Sequence, residues 1–182
     1  MISAMVRLLP MLLLLSLLPR AAMAQPPIEV SGGFALVRDP RDDITLPTGW
    51  TGGVAVDLTH ALSAVADVSG QYKTVALVGS DAQLNVHTVM GGIRASARLG
   101  RLTEFAQVLV GDVRTAGSAF GATTVSHSLG IQPGVGVDFP VASRLLARAQ
   151  LDLRVIGSQP DAGNRGYQYR FAAGGVYRVN PR

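Results

Sequence analysis

The feature of this sequence that most constrains its fold is a strict alternation of apolar and polar residues. Such a period of two is typical of β-strands with one apolar face. It recurs in eight segments, namely 28–38, 49–58, 62–72, 84–98, 102–114, 123–139, 144–155 and 167–179. The pattern predicts an all-β chain of about eight antiparallel strands.

In every segment one face can be chosen that lacks Asp, Glu, Lys and Arg. A soluble sheet hides such a face in its core, whereas a membrane barrel turns it outward to lipid. Segment 102–114 leaves two choices, the face of Phe105, Leu109 and Val113 or the face of Ala106, Val108 and Val110. The first face avoids Glu104 and Asp112, so we favour it as the apolar one.

The first 24 residues have a different character from the rest. Arg7 precedes an apolar stretch from Leu8 to Leu18, and Ala22-Met23-Ala24 forms a small-x-small cleavage site. The stretch is too short for a membrane-spanning helix, which needs about 20 apolar residues. We therefore predict a cleaved secretory signal peptide at 1–24 and a single mature domain at 25–182.

The composition excludes several classes of function. The chain of 182 residues has no Cys, which excludes disulfides, thiol nucleophiles, thiolate metal sites and an acyl-cysteine anchor. Its 16 basic and 12 acidic residues are scattered without a basic run. We therefore expect no nucleic-acid partner.

The connections between the segments alternate in length. Short turns at one end and long loops at the other are typical of outer-membrane barrels, whose short turns face the periplasm. The short connections fall near 59–61, 99–101 and 140–143, and the longer ones near 39–48, 73–83, 115–122 and 156–166. This alternation favours an eight-stranded antiparallel up-and-down transmembrane β-barrel.

Aromatic residues cluster near the segment ends. In a barrel with both termini at the short-turn end they would lie at the two rims, where amphipathic rings sit in membranes. The predicted aromatic girdle comprises Trp50, Tyr72, Phe105, Phe139, Tyr169 and Tyr177.

The polar faces carry charges of both signs. An eight-stranded barrel closes with just enough room for side chains, so charges inside it must pair and form hydrogen bonds. The predicted structural network of the lumen comprises Glu29, Asp57, Asp67, Arg94, Gln132, Asp138, Arg148, Gln150, Asp152 and Arg170. Arg154 lies on the same polar face, and Pro133, which cannot donate a ladder hydrogen bond, predicts a bulge in its strand.

Several glycine-rich runs carry a resemblance to a known family. They are Gly91-Gly92-Ile93-Arg94, Phe105-Ala106-Gln107-Val108-Leu109-Val110-Gly111, Gly134-Val135-Gly136-Val137-Asp138 and Arg148-Ala149-Gln150-Leu151-Asp152. Over about 28–179 the chain resembles the small bacterial outer-membrane β-barrels typified by OmpX and the membrane domain of OmpA. The resemblance implies an outer-membrane location, contact with lipid and lipopolysaccharide, and insertion by the outer-membrane machinery. Members usually end on Gly-x-x-aromatic-x-aromatic, and here Val179 replaces the last aromatic residue.

Candidate catalytic residues are few. His60 falls in a predicted short turn, where we expect it to be exposed to solvent. His87 and His127 have no carboxylate at ligand spacing, so we expect no metal and no cofactor. Lipid A deacylase barrels carry a His-x-Ser pair on one face, but Ser126 and Ser128 adjoin His127 and fall on the opposite face. Neither a Gly-x-Ser-x-Gly elbow nor a phosphate-binding glycine motif is present. We predict no enzymatic activity and name no catalytic residue.

The leading hypothesis is an outer-membrane protein with a side-chain-filled lumen, exposed loops and a structural, adhesive or narrow-pore role. Eight strands leave no wide aqueous channel. A secreted or periplasmic soluble β-barrel or sandwich that binds a small apolar ligand is the alternative. A more remote one is a lipid A-modifying barrel enzyme that acts through His127 or Ser128.

Overall fold

A computed structural model describes residues 26–40, 43–77, 80–119, 122–157 and 166–179. The predicted signal peptide at 1–24 lies outside the described residues. Within them, every regular element is a β-strand: β1 Ile28–Asp39, β2 Ile44–Leu46, β3 Thr48–Asp57, β4 Leu62–Leu77, β5 Ser80–Leu99, β6 Leu102–Ala119, β7 Ala122–Pro140, β8 Leu145–Ile156 and β9 Gly166–Arg178. In this part of the chain no helix is long and apolar enough to cross a membrane.

The strands form one closed antiparallel sheet. β1 pairs with both β2 and β3, each strand from β3 to β8 pairs with the next along the chain, and β1 also pairs with β9 over Glu29–Arg38, which closes the sheet. Strand β1 pairs with β3 from Ile28 to Phe34 and with the short strand β2 from Val37 to Asp39. β2 and β3 therefore occupy one strand position in the wall. The result is the predicted eight-stranded up-and-down barrel.

The strands are tilted against the barrel axis. Following cross-strand neighbours around the wall leads from Ile28 through Val56, Ala64, Ile93, Val108, Pro133, Leu153 and Tyr169 to Arg38. The path therefore returns to β1 ten residues beyond its start. Ten residues at about 3.3 Å each, inclined by roughly 40°, correspond to a rise of about 25 Å along the axis.

The register shifts at Pro47 and stays regular at Pro133. Phe34 pairs with Trp50 and Val37 with Leu46, so the wall formed by β2 and β3 holds one residue more than β1 at this point. This extra residue is a bulge, and it turns the buried side chain of Leu46 into the lumen. The bulge expected at Pro133 is wrong, because the pairs Ile131–Val155 and Gly134–Asp152 on either side keep the same register. The missing N–H of Pro133 interrupts the β7–β8 ladder without adding a residue.

The two ends of the barrel differ in construction. At the short-turn end, tight connections at 58–61, 100–101 and 141–144 join neighbouring strands, and Gly100 adopts a left-handed φ of 62°. At the other end, here called the hairpin end, β4 pairs with β5 as far as Leu77–Ser80 and β6 with β7 as far as Ala119–Ala122. The loops expected at 73–83 and 115–122 are therefore mostly strand, because ladder hydrogen bonds continue through these turn-rich sequences.

The alternation separates an apolar outer face from a mostly polar lumen. Apolar side chains on the outer face are strongly exposed, including Leu129 at 67% and Val89 at 65%. In β6 the outer face is that of Ala106, Val108 and Val110, whereas Phe105, Leu109 and Val113 are buried inside. Our preference for the other face of 102–114 is wrong. Glu104 and Asp112 are outward residues near the two ends of the apolar band, where they can reach water.

Candidate functional site

The short-turn half of the lumen is held together by ion pairs. Arg148 donates through Nε and Nη2 to the two carboxylate oxygens of Asp138, at 2.7 and 2.8 Å. Arg148 Nη2 also reaches Glu29 Oε2 at 3.4 Å, and Arg178 Nε donates to Glu29 Oε1 at 2.9 Å. Arg94 adds a longer contact, 3.8 Å, from Nη1 to Glu29 Oε2. These residues come from β1, β5, β7, β8 and β9, so the network ties opposite parts of the wall together.

Phe105 packs inside this network. The guanidinium carbons of Arg94 and Arg148 lie 4.4 and 4.7 Å from its ring centroid, so each arginine makes a cation–π contact with the ring. A Cβ at Gly136 would collide with the Phe105 ring, so the glycine makes room for it. The expectation that Phe105 belongs to the aromatic girdle is wrong, because β6 presents its other face outward.

The middle of the lumen centres on Arg170. Its Nη1 donates to Asp67 Oδ1 and its Nε to Asp152 Oδ2, both at 2.8 Å, and its side chain is completely buried. Gln150 donates to both oxygens of Asp152 at 2.9 Å, while Thr51 donates to Asp67 at 3.2 Å. Each carboxylate thus has more than one donor, which compensates for its loss of water.

Apolar side chains fill another part of the lumen. A cluster of buried apolar side chains, here called the apolar plug, comprises Val37, Leu46, Ala55, Val65, Val86, Met90, Leu109 and Val113. Ala55 and Val65 lie beside Glu29 in the short-turn half, Met90 pairs with Asp67 in the middle, and Val37, Leu46, Val86 and Val113 lie toward the hairpin end. Sequence reasoning missed this plug, because its members look like interruptions of the polar face when each strand is considered alone. Toward the hairpin end, Val37, Leu46, Val86 and Val113 present groups that offer no hydrogen bonds to water or ions.

Arg154 lies beside the plug without a salt bridge to any described carboxylate. Its Nε donates to Gln132 Oε1 at 2.9 Å and its Nη1 to Gln168 Oε1 at 3.4 Å, and its side chain is fully buried. Gln132 Nε2 and Arg154 Nη2 have no hydrogen-bond partner among the described residues. The charge of Arg154 is therefore much less well compensated than that of Arg170.

The remaining lumen residues named from sequence also face inward. Ser63 Oγ donates to Asp57 Oδ1 at 2.7 Å near the short-turn mouth, and Arg94 donates to Gln107 at 2.9 Å. A cavity of about 30 Å³ between Glu29, Arg94 and Arg148 has room for about two water molecules. A cleft of about 340 Å³ lies at the short-turn mouth.

Five of the six girdle candidates face outward. Tyr177 and Phe139 are 47% and 43% exposed at the short-turn end. At the hairpin end Trp50, Tyr72 and Tyr169 are exposed by 44%, 36% and 42%. They lie where the apolar outer band ends, but an interfacial role for them stays a prediction.

A row of polar contacts runs along the outer rim at the hairpin end. Trp50 Nε1 donates to Tyr72 Oη at 3.1 Å, and Tyr72 Oη lies 3.2 Å from His87 Nε2. Gly70 leaves space for this arrangement, because a Cβ there would lie 2.7 Å from Trp50 Nε1. Two strands further on, His127 Nδ1 lies 2.9 Å from Asp112 Oδ2. Sequence reasoning did not find this His–Asp pair, since 15 residues separate its members.

The structure brings together no catalytic set around His127. His127 faces outward, whereas Ser126 and Ser128 belong to the lumen face of β7. Among the described residues, no three His, Asp or Glu side chains are grouped so that they could hold a metal ion.

Comparison with known proteins gives a clear structural likeness. The sequence matches no protein-family model and no curated protein. The fold is similar to that of Ail, the attachment invasion locus protein of Yersinia pestis, solved in complex with the heparin analogue sucrose octasulfate (TM-score 0.63, 15% identity, covering 86% of this chain and 100% of Ail). It is also similar to Neisserial surface protein A (TM-score 0.62, 13% identity, covering 85% and 97%). A major outer membrane protein from Thermus thermophilus aligns as well (TM-score 0.65, 14% identity, covering 84% and 99%). The chain has the fold of the small bacterial outer-membrane β-barrels.

Proposed function

We propose that this protein is an outer-membrane β-barrel with a closed lumen that anchors protruding hairpins at the cell surface, in a structural or adhesive role. The observation that carries the proposal is the inverted distribution of polarity. Strongly exposed Val89, Ile93, Leu129 and Val135 cover the outside, while Arg94, Arg148, Arg154 and Arg170 are buried inside. An exterior of this kind is stable only against lipid.

This distribution argues against the soluble alternative. A soluble barrel that binds an apolar ligand needs an apolar lumen and a wettable exterior. Here the lumen contains at least four buried guanidinium groups, and the lining of the small cavity beside Glu29 includes four charged residues, Glu29, Asp67, Arg94 and Arg148. A ligand of apolar character would lose more on meeting these groups than it gains from burial.

The narrow-pore hypothesis is less well supported than a structural or adhesive role. The apolar plug runs through the lumen from Ala55 and Val65 beside Glu29 to Val113 near the hairpin end, and the ion pairs of Arg170 and Arg148 cross the same lumen. A hydrated ion would have to displace both. We therefore expect no steady conductance from the native barrel.

The unequal height of the wall supports a surface role. Strands β4 to β7 have 16 to 20 residues, whereas β1, β3, β8 and β9 have 10 to 13. The tall side therefore extends past the apolar band and would stand outside the membrane. Export through residues 1–24 and assembly by the outer-membrane insertion machinery complete the proposal, and the folds of Ail and Neisserial surface protein A are consistent with it.

Cell fractionation tests the location directly. We expect the protein in the outer-membrane pellet, migrating faster on a gel before boiling than after it, because a closed barrel resists detergent until heated. A soluble periplasmic band that ignores heating would contradict the proposal.

A shortened variant tests the surface role. Residues 117–124 of the β6–β7 hairpin would be replaced by Asn-Gly, which joins the paired residues Ala116 and Val125 through a favourable two-residue turn. We expect normal insertion but weaker attachment of expressing cells to host-cell or matrix surfaces. If cells that express the native protein attach no better than cells without it, and the shortened variant changes nothing, only the structural role remains.

A further inference from the structure

We propose that the outer rim of β5, β6 and β7 is a binding site for the phosphate groups of an outer-leaflet glycolipid, with Arg114 at its centre. The inference rests on the outer-membrane orientation proposed above. It adds to that orientation a defined position on the barrel wall and a defined ligand chemistry.

The site is a cross-strand row. Arg114 on β6 pairs in register with His87 on β5 and with His127 on β7. All three belong to the outward face of their strands, in line with exposed Val89, Val110 and Leu129. Neighbouring strands lie about 4.8 Å apart, so the row presents cationic and imidazole groups over about 10 Å.

The charge of Arg114 is available. Its side chain is exposed and makes no salt bridge to any residue in the part of the chain that the structure describes. Asp112 is the nearest carboxylate along the outer face of β6, but its Oδ2 is engaged by His127 Nδ1 at 2.9 Å. That contact leaves His127 Nε2 for another partner, and in the protonated ring it donates to a phosphate oxygen.

The opposite side of the same rim provides a contrast. Arg38 on β1 also faces outward near the hairpin end, yet Asp43 already pairs with it at 3.2 Å. The Arg38 guanidinium therefore has its own counter-charge, whereas Arg114 has none among the described residues. An anion gains more at Arg114 than at Arg38.

The surroundings match a lipid rather than a soluble anion. Below the row, the exposed side chains of Val89 and Leu129 offer an apolar surface for acyl chains. Beside it, Trp50 and Tyr72 form a hydrogen-bonded aromatic pair of the type that lies at the level of lipid headgroups. A molecule with phosphates at the rim and several acyl chains below it meets both requirements, which points to the phosphorylated anchor of lipopolysaccharide.

Titration in vesicles tests the site. The refolded protein would be placed in phosphatidylcholine vesicles containing increasing amounts of bisphosphorylated lipid A. Binding would be followed by the fluorescence of Trp50, the single Trp of the chain. We expect the double variant Arg114→Gln/His127→Gln to bind about tenfold more weakly, as the loss of charge-assisted hydrogen bonds implies, and the control Arg38→Gln to bind within about twofold of the native protein.

Three further arms decide the ligand chemistry. Dephosphorylated lipid A should not bind, phosphatidylglycerol should bind more weakly, and millimolar inorganic phosphate should not compete. Equal weakening by Arg38→Gln, or equal binding of dephosphorylated lipid A or phosphatidylglycerol, would overturn the assignment. Full competition by inorganic phosphate would identify a free-phosphate site instead of a lipid site.

The heat-dependent gel shift of each variant separates the two proposals. A shifted band shows that the barrel is folded and inserted, so a loss of lipid A binding then reports on the site itself. If the native protein never inserts, both proposals fail. If it inserts but binds lipid A no better than the double variant, only the glycolipid site fails.

Discussion

The two halves of the lumen exclude water by different means. In the short-turn half and the middle, Arg148 and Arg170 each contact two carboxylates, and nearly every buried charge has a partner. In the hairpin half, side chains such as Leu46 and Val113 fill the space, and Arg154 has only amide oxygens as acceptors. The first half depends on geometry between charges, whereas the second depends on packing.

This difference sets how each half should respond to substitution. Removing one member of a buried ion pair leaves its partner charged and unsolvated, which costs more than the pair itself contributes. Removing an apolar side chain costs its transfer free energy and a cavity term. Removing a poorly compensated buried charge costs little, because the substitution also removes the desolvation penalty of that charge.

The largest effect is expected from Arg170→Met. This substitution leaves Asp67 and Asp152 without their shared cation in the buried middle of the lumen. We expect a loss of about 3–5 kcal/mol in the free energy of unfolding, measured by urea titration in lipid vesicles. A loss below about 1 kcal/mol would show that water reaches these carboxylates.

The apolar plug is tested by Leu109→Ala. The Leu109 side chain is completely buried, so we expect a loss of about 2–4 kcal/mol in the free energy of unfolding, measured by the same urea titration. The matched control is Val108→Ala on the same strand, because Val108 is 51% exposed on the outer face. Similar losses in both variants would contradict the existence of a packed plug.

A smaller effect is expected from Phe105→Leu in the short-turn half. The substitution keeps an apolar side chain but removes the ring that both Arg94 and Arg148 contact. Two buried cation–π contacts suggest a loss of about 1–3 kcal/mol in the same urea titration. The variant Phe139→Leu, on the outer face at the same end, serves as the comparison and should lose less.

The smallest effect is expected from Arg154→Met, and its sign distinguishes the two halves. Met is uncharged and of similar length, so the substitution removes a buried guanidinium that has no salt bridge to the described carboxylates. We expect a change within about 1 kcal/mol of zero, or a gain in stability. A loss as large as that of Arg170→Met would mean that Arg154 is as well compensated as Arg170.

Much of this architecture could be predicted from the residues alone. Strand β8 shows why: Leu145 and Leu151 alternate with Arg148 and Asp152, and the structure puts the first two outside and the others inside. The same reasoning identified the charged lumen residues of β1, β4, β5, β7 and β9. It failed for β6, where apolar residues occupy both faces and local pattern gives no preference.

Alternation along the chain was enough to establish the parity of most strands, the closed antiparallel fold class and the mixture of charges that must pair. The closed sheet was needed to show which of those charges meet, where the plug lies and which rim residues form a row. The reason is that alternation records only on which side of its own strand a residue lies. Partners across the lumen or along the rim depend on the tilt of the closed sheet, on the one-residue bulge at Pro47 and on the register of strands far apart in the chain.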